Sequence, residues 1–339
     1  IVRRLPAIET LGSVSVICSD KTGTLTRNEM MVRALAAAGA VYHVTGTGYA
    51  PEGELQRDGE TADPAEEPQL TEIARIAALC NDSSLLHGDA GWQVEGDPME
   101  GALLALSGKV AGPTAFDGWT RIDAIPFDAA HRYMATLDQD AQGQAHIHVK
   151  GAPEAVLALC ADQRTAGDGT EPLVAVGWQR QLEALAGEGQ RVLAVAMRRV
   201  PSNHAQLTPG DIDRRLTLIG LIGLIDPPRA EAIDAVAECH AAGIRVKMIT
   251  GDHAATARAI AEQIGLRNHN RVLTGSDVEA LEDAALAEAV METDIFARTS
   301  PTHKLRLVTA LQSRGLTVAM TGDGVNDAPA LKRADAGIA

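Results

Sequence analysis

The sequence predicts an α/β protein in which a doubly wound parallel sheet is interrupted by a second, inserted domain. From Leu216 onward, short apolar strands alternate with amphipathic helices, a repeat that predicts a parallel sheet with helices on both faces. Near the N-terminus, Val14–Ser19 forms one more apolar strand, and a long region of different texture separates it from the others. A connection of that length without structure does not fit a compact domain, so we expect the intervening residues to form an α+β domain of their own.

The later elements follow in a regular order. Leu216–Ile225 is the first strand of the repeat, and Asp226-Pro227-Pro228 then starts a helix that ends at Gly243. Two further strands are predicted at Ile244–Ile249 and Leu316–Met320. Between them, one helix ends at Gly265 and another begins at Ser300-Pro301. The sequence therefore divides into residues 1–28 and 217–339 of one domain and residues 29–216 of the inserted domain.

Composition excludes several classes of protein. The 339 residues contain 45 Asp and Glu against 30 Lys and Arg, a net charge of −15 that gives no general attraction to nucleic acid or anionic lipid. No stretch reaches the roughly 18–20 apolar residues of a membrane span, and the four cysteines show no metal-binding or disulfide spacing. The chain begins without Met and stops after a glycine-rich turn, so we expect a piece of a longer protein.

Polar residues follow the strands at the edge where ligands bind in open α/β sheets. The first strand runs into Asp20-Lys21-Thr22-Gly23-Thr24, and a later one into Thr250-Gly251-Asp252. The last predicted strand runs into a segment from Thr321 to Asp327. Lys304 lies in the first turn of the helix that begins at Ser300-Pro301. Because the carboxyl ends of parallel strands meet at one edge, these segments are expected to form one site.

These residue types suit phosphoryl transfer. A carboxylate such as Asp20 can attack a phosphoryl group and form an acyl phosphate, and Asp323 and Asp327 offer the oxygen ligands that Mg²⁺ prefers. Thr250 can donate to the phosphoryl oxygens, and Lys304 supplies positive charge. A single Asp-Gly is usually a turn and a single Lys is usually solvated, but four such pieces in order are hard to obtain by chance.

Four segments of the sequence form a set: Asp20-Lys21-Thr22-Gly23-Thr24-Leu25-Thr26, Asp226-Pro227-Pro228-Arg229, Thr250-Gly251-Asp252 and Thr321-Gly322-Asp323-Gly324-Val325-Asn326-Asp327. This set resembles the corresponding segments of haloacid-dehalogenase-type phosphotransferases, specifically those of P-type cation-transporting ATPases. The resemblance implies that Asp20 is phosphorylated, and that Asp20, the Thr22 carbonyl and Asp323 surround Mg²⁺ with support from Asp327. It implies that Thr250, Lys304 and Asn326 contact the phosphoryl group. Lys21, Gly251 and Asp252 complete the catalytic segments.

The inserted domain offers a candidate adenine pocket. Phe127 is one of three Phe residues in the chain, and Lys150-Gly151 closes a predicted strand, so a ring for stacking and a cation are available, although core packing of Phe127 stays open. The resemblance implies that Phe127, Met134 and Lys150 line the pocket with Glu100. It also implies that Gly151 and Arg132 lie beside the adenine pocket; Lys is usual in the family at the position of Arg132. It further implies that Arg191 contacts the nucleotide phosphates.

Asp226 and Arg229 lie at the return from the insert. From spacing alone, Asp226 is equally a cap for the helix that follows. The resemblance instead implies a role for both residues at a hinge beside the catalytic face, and we group them with the nucleotide contacts.

The resemblance implies that the full protein couples ATP hydrolysis to cation transport, with calcium favoured. The partners would be ATP, the transported cation, and the actuator domain and membrane helices of the same polypeptide, but no nucleic acid. This chain would be a soluble part on the cytoplasmic face of a membrane, with little or no turnover by itself. Two alternatives stay open: a capped soluble phosphatase, disfavoured because Thr22 stands where such enzymes carry a second Asp as acid and base, and a regulatory module that binds nucleotide without chemistry.

Overall fold

The computed structural model describes residues 10–89, 91–167, 169–322 and 327–339. Within these ranges the chain forms two compact units. The first contains the described residues of 1–28, 187–189 and 226–339, and the second those of 29–186 and 190–225. The second boundary therefore lies after Ile225, and not after residue 216 as the sequence analysis placed it.

The first unit starts with one buried strand, β1 (Val16–Asp20), and a helical turn over Lys21–Leu25. The chain then enters the second unit. Its strands are β2 (Met31–Ala37), β3 (Ala40–Val44), β4 (Leu55–Arg57), β5 (Glu60–Thr61), β6 (Ser84–Gly88), β7 (Gly91–Glu95), β8 (Thr120–Ile125), β9 (Tyr133–Gln139), β10 (Ala145–Gly151), β11 (Cys160–Arg164), β12 (Thr170–Pro172), β13 (Arg191–Val200) and β14 (Leu216–Ile225). Its helices are α1 (Pro68–Leu79), α2 (Pro98–Ala111), α3 (Pro153–Leu159), α4 (Ala175–Gly187) and α5 (Pro209–Ile212).

A large and mainly antiparallel sheet organises the second unit. Its main path runs β5-β4-β3-β2-β14-β13-β10-β9-β8, with β11 and β12 to one side. Each face packs an apolar core: one includes Leu35, Ile73 and Leu103 under α1 and α2, and the other includes Ile147 and Val156 under α3. The described residues thus confirm an α+β inserted domain with its own core.

The strand β14 corrects one expectation. Leu216–Ile225 was predicted in the parallel sheet, but it pairs antiparallel with both β2 and β13 at the centre of the second unit. Its side chains divide between the two cores, with Leu218 and Leu221 on one face and Ile222 and Leu224 on the other. An unbroken apolar run indicates a strand buried on both faces, and an antiparallel strand between two layers meets that condition equally well.

The chain completes the first unit after β14. The helices are α6 (Ala230–Ala241), α7 (Ala254–Gln263), α8 (Gly275–Ala280), α9 (Asp283–Glu292), α10 (Pro301–Ser313) and α11 (Ala328–Arg333). The strands are β15 (Arg245–Ile249), β16 (Val272–Thr274), β17 (Ile295–Ala297), β18 (Val318–Thr321) and β19 (Ala336–Ile338). Among the described residues no helix combines the length and the apolar character needed to cross a bilayer.

The first unit is an α/β layer structure. The described strands form one sheet in the order β16-β17-β15-β1-β18-β19, and every pairing in it is parallel. Apolar residues of β1, β18 and α10, among them Val16, Met320 and Leu307, meet in its core. The predicted parallel sheet is therefore confirmed, with β1 at its centre although β1 precedes the inserted unit in the chain.

Two short segments of the first unit pair where the chain leaves it and where it returns. The Arg27 amide donates to the Pro227 carbonyl at 3.0 Å, and the Arg229 amide donates to the Leu25 carbonyl at 2.9 Å. Thr26 and Pro228 form an antiparallel bridge between these two bonds. We call this pairing of residues 25–27 with residues 227–229 the neck.

The sheet of the first unit buries one ion pair. Lys247 of β15 is fully buried, and its Nζ donates to the Thr293 carbonyl at 2.7 Å and to Asp294 Oδ1 at 2.8 Å. Asp294 Oδ2 also accepts from the Asn268 amide at 3.2 Å. A buried charge is tolerated only when it is paired, so removing one partner is costly.

We expect Asp294→Asn to lower the free energy of unfolding by about 3 kcal/mol, because Lys247 then keeps its charge without an anionic partner. Urea denaturation of the two proteins at neutral pH measures the difference. Glu288→Gln is the matched control, since Glu288 pairs with Arg314 at the surface, where such pairs contribute less than about 1 kcal/mol. Equal losses in the two variants would contradict the assigned importance of the buried pair.

Candidate active site

Three parallel strands of the first unit end at one edge of the sheet. β1 lies between β15 and β18, with Asp20 opposite Ile249 and Ser19 opposite Thr321. The residues that follow these strands, Asp20 onward, Thr250 onward and Gly322 onward, are thereby neighbours. The expectation that the three polar segments share an edge is confirmed for the described residues.

Asp20 is the last residue of β1 and caps the turn that follows it. Its Oδ1 accepts from the Lys21 amide at 2.7 Å, and the turn closes when the Thr26 amide donates to the Lys21 carbonyl at 3.0 Å. Gly23 has φ of +74°, a left-handed conformation that favours glycine. The turn therefore fixes one carboxylate oxygen and leaves the other directed toward a different partner.

That partner is Lys304. Its Nζ donates to Asp20 Oδ2 at 2.6 Å and to Asp327 Oδ1 at 2.7 Å, and the side chain is buried. Burial by itself would lower the pKa of Lys304, but hydrogen bonds and charge from Asp20 and Asp327 outweigh it, so the pKa of Lys304 is raised above its ordinary value. Lys304 therefore stays cationic between two carboxylates from distant parts of the chain.

Lys21 lies on the other side of the turn. It is buried, and its Nζ donates to Asp252 Oδ2 at 2.6 Å, with Asp226 Oδ2 at 3.8 Å. Thr26 donates to Asp226 Oδ2 at 2.6 Å. Asp226 therefore binds the turn after β1, and it does not cap the following helix, which begins only at Ala230.

Arg229 holds the backbone of the same turn. Its Nε donates to the Thr26 carbonyl at 2.9 Å, and an Nη donates to the Gly23 carbonyl at 3.0 Å. Both Asp226 and Arg229 therefore contact the loop that begins at Asp20. Their assignment to the nucleotide contacts stays a prediction.

Thr250 is buried at the end of β15. Its Oγ1 accepts from the Asp252 amide at 3.1 Å, and its carbonyl accepts from both the amide and the hydroxyl of Thr299 at 3.0 Å. Gly251 is exposed between them. Sequence reasoning missed Thr299, although its position just before the Ser300-Pro301 helix start was an available signal.

Asp327 is buried, and the space around it depends on Gly322. A Cβ on Gly322 would lie 2.6 Å from Asp327 Oδ2, so only glycine allows the carboxylate this position. Asp323 and Asn326, which the sequence assigned to the metal and the phosphoryl group, lie outside the described residues.

The second unit contains the residues assigned to adenine. Lys150 is buried on β10, and its Nζ donates to Glu100 Oε1 at 2.5 Å. Glu100 Oε2 accepts from Ser83 Oγ at 3.0 Å and from the Asp82 amide at 3.1 Å. Burial raises the pKa of Glu100, but the bonds from Lys150, Asp82 and Ser83 together bring its pKa below the ordinary value, so Glu100 is ionised at neutral pH.

Phe127 lies in the loop between β8 and β9, and 64% of it is exposed. The alternative that Phe127 is a core residue is therefore wrong. The loop is ordered by the Arg132 amide, which donates to the Asp128 carbonyl at 2.7 Å, and by the Ala130 amide, which donates to Asp128 Oδ1 at 2.7 Å. A large aromatic ring is thus presented to solvent on a structured loop.

The other assigned residues surround β9 and β10. Met134 is buried opposite Lys150 in the strand register. A Cβ on Gly151 would lie 2.5 Å from the Arg132 carbonyl, and Arg132 pairs with Glu154 at 2.6 Å. Arg191 is exposed at the start of β13, opposite Leu224.

Comparisons with known proteins agree with this architecture. Residues 156–332 match the family model of haloacid dehalogenase-like hydrolases, which covers most of the first unit. Residues 69–231 match the model described as P-type ATPase, cytoplasmic domain N, which covers most of the second unit. The two matches together define a hydrolase-type α/β domain with an inserted domain of the P-type ATPase kind.

Proteins that are similar to this chain over its whole length identify the family more closely. The chain is 48% identical to the cation-transporting ATPase pma1 of Synechocystis sp., 45% identical to the probable cation-transporting ATPase F of Mycobacterium tuberculosis and 39% identical to a calcium-transporting ATPase of Bacillus subtilis. Each comparison covers 100% of this chain and 38% of the relative. The chain belongs to the P-type cation-transporting ATPase family.

The Glu100–Lys150 pair predicts an acid-dependent loss of stability. We expect Glu100→Gln to lower the free energy of unfolding by about 2 kcal/mol at pH 7, because Lys150 loses its anionic partner. Since the pKa of Glu100 is lowered on folding, its contribution is present above the unfolded-state pKa and is lost as the pH falls through the folded-state pKa. The difference between wild type and variant should therefore shrink when both are acidified below pH 4.5, the ordinary value.

Urea denaturation at pH 7 and pH 4 measures this effect. Glu154→Gln is the control, since Glu154 pairs with Arg132 at the surface and its loss should cost less than about 1 kcal/mol at either pH. A Glu100→Gln deficit that stays constant or grows on acidification would show that the pair does not titrate as assigned.

Proposed function

We propose that this chain is the ATP-binding and aspartyl-phosphate-forming part of a cation pump. The observation that carries the proposal is the Lys304 ammonium group, which lies within 2.7 Å of both the Asp20 and Asp327 carboxylates at the carboxyl edge of a parallel sheet. With Asp20 as the nucleophile, this arrangement would put a fixed cation where negative charge develops during phosphoryl transfer.

In the proposed step, a carboxylate oxygen of Asp20 attacks the γ-phosphorus of ATP. The bond from that phosphorus to the β–γ bridging oxygen breaks, and ADP leaves with the electron pair. Thr250 and the backbone amides of the turn from Thr22 to Thr24 would donate to the phosphoryl oxygens, and Lys304 would neutralise charge on them. Arg229 would keep that turn in place through the Gly23 and Thr26 carbonyls.

The oxygen donors near Asp20 support Mg²⁺ as the ion of the proposed site. Asp20 and Asp327 both direct carboxylate oxygens to Lys304, and Gly322 leaves room for Asp327. Oxygen donors of this kind suit a hard divalent cation. Asp20, the Thr22 carbonyl and Asp327 would hold the ion, together with Asp323 by its place in the sequence segment. Bound Mg²⁺ would reduce the repulsion between the carboxylate nucleophile and the phosphate.

Thr22 supports a pump over a phosphatase. The position two residues after the nucleophile carries an exposed threonine, which cannot remove a proton from an attacking water as a carboxylate can. The aspartyl phosphate should therefore persist until another part of the protein acts on it. A capped phosphatase would need a base at this place for rapid turnover.

The second unit would hold the nucleotide. Exposed Phe127 offers a face for adenine stacking. Lys150 of β10 and Glu100 of α2 offer a paired donor and acceptor. Arg191 would contact the phosphates. Met134 and Gly151 would shape the pocket floor, and Arg132 would border it.

The chain spans 38% of the length of the relatives quoted above. We propose that the rest of the polypeptide provides the actuator domain and the membrane helices that carry the ion, and that this part lies on the cytoplasmic face of the membrane. Calcium is the favoured ion, because a relative 39% identical to this chain is named a calcium-transporting ATPase.

We expect the chain to incorporate label from γ-³²P ATP and Mg²⁺ into an acid-stable, hydroxylamine-sensitive aspartyl phosphate, and Asp20→Asn to abolish it, because an amide cannot act as the nucleophile. Acid quench and gel autoradiography measure the label. Asp234→Asn, an exposed carboxylate on α6, is the control and should label normally. Label retained in Asp20→Asn would exclude Asp20 as the phosphorylated residue.

We expect Phe127→Ala to weaken ATP binding at least tenfold, about 1.4 kcal/mol, because adenine loses its stacking partner. Isothermal titration calorimetry with and without Mg²⁺ measures the affinity. Val176→Ala removes a similarly exposed apolar side chain from α4 and should leave the affinity unchanged. Binding that is indifferent to Phe127 would place the nucleotide elsewhere and favour the phosphatase alternative.

A further inference from the structure

The helix that carries Lys304 begins with an unusual capping box. Ser300 is the N-cap of α10, and its Oγ accepts from the His303 amide at 3.3 Å. In return, the Ser300 amide donates to Nδ1 of His303 at 3.1 Å. Glu or Gln usually supplies this return bond, whereas here an imidazole supplies it.

The geometry fixes the tautomer of His303. A backbone amide can only donate, so Nδ1 must be the unprotonated nitrogen, and Nε2 carries the hydrogen. Nε2 lies 2.9 Å from Glu279 Oε1 of α8 and donates to that carboxylate. The imidazole is therefore held at both nitrogens.

The packing around His303 leaves it little freedom. His303 is buried, and a Cβ on Gly275 would lie 2.7 Å from both Nδ1 and Cε1 of the ring. Glycine at position 275 is thus what allows the ring to occupy this place. The charged residues of the elements packed here are Asp277 and Glu279 of α8, Asp283, Glu288 and Glu292 of α9, and Lys304 and Arg306 of α10. Arg306 is bound to Asp283.

His303 acts on the site through Ser300. The Ser300 carbonyl accepts from the Lys304 amide at 3.1 Å. The preceding residue, Thr299, donates to the Thr250 carbonyl, and Arg298 donates its amide to the Asp252 carbonyl at 2.9 Å. Residues 298–300 therefore connect the Thr250 loop to the first turn of α10, and His303 fastens that connection.

The geometry points to His303 as a positioning residue for phosphoryl transfer, which holds Lys304 in register with Asp20 and Asp327 through the reciprocal cap with Ser300. A lysine side chain has many rotamers, so fixing its backbone limits the conformations in which Nζ reaches both carboxylates. Positioning of Lys304 thereby depends on a residue that makes its own contacts with Ser300 and Glu279.

The inference rests on the proposed function for its first readout, the rate of Asp20 phosphorylation from γ-³²P ATP and Mg²⁺ by rapid acid quench. His303→Ala should lower this rate about tenfold at pH 7.5 with ATP affinity unchanged. His303→Gln should stay within about twofold of wild type, because its amide oxygen replaces Nδ1 as acceptor. Thr302→Ala, an exposed change in the same turn, is the control.

Rescue by His303→Gln, with ATP affinity unchanged, separates positioning from simple stability. A wild-type rate in folded His303→Ala would overturn the positioning role.

A second readout does not depend on chemistry. Amide hydrogen exchange of the peptide that spans residues 298–306 should be faster in His303→Ala than in wild type or His303→Gln. If wild type forms no aspartyl phosphate, the proposed function fails, and the exchange comparison still decides the inference: faster exchange in His303→Ala supports the cap, and equal exchange in all three proteins overturns it.

Discussion

The contact that the site depends on is the one between the Lys304 ammonium group and the carboxylates of Asp20 and Asp327. It joins the end of β1, the first turn of α10 and the residue before α11, three places that are distant in the chain. Without the cation, two carboxylates would lie close together in a partly buried setting, where like charges repel strongly. The sheet order brings the carboxylates together, and the lysine makes their proximity stable.

The second unit also contains a buried lysine that is paired with a carboxylate. Lys150 is also a buried cation paired with a carboxylate, Glu100, which takes two more hydrogen bonds from Ser83 and Asp82. In both units the cation is already neutralised by the protein. In the proposed function, a phosphate or a purine would therefore meet groups whose positions are fixed in advance, so little reorganisation would be needed on binding.

Sequence analysis predicted the parallel sheet and the edge at which the site forms, because β1, β15 and β18 are apolar strands followed at once by polar residues. It also predicted the start of α10 from Ser300-Pro301. It failed at β14, because an apolar run shows that both faces are buried but not which sheet the strand joins. The contacts of Asp226 and Arg229 with Thr26 and Gly23 could not be predicted either, since they arise only when residues distant in the chain pair across the neck.

Sequence analysis also missed short strands. β16 and β17 have three residues each, too few for an alternating pattern to be recognised. The imidazole at the third position of α10 could be read from the sequence as a residue, but its acceptor role depends on the space beside Gly275. Tertiary packing, and not local propensity, determines what this histidine does.

The neck has a consequence for how such a chain can change over generations. For the sheet of the first unit, everything between the two paired segments is one loop with its ends held together by backbone hydrogen bonds. The entropy of closing a flexible loop grows only with the logarithm of its length, by about 0.6 kcal/mol for each doubling. The length and sequence of the chain between these ends can therefore vary widely at little thermodynamic cost to the parallel sheet, so a different domain can be acquired there by insertion.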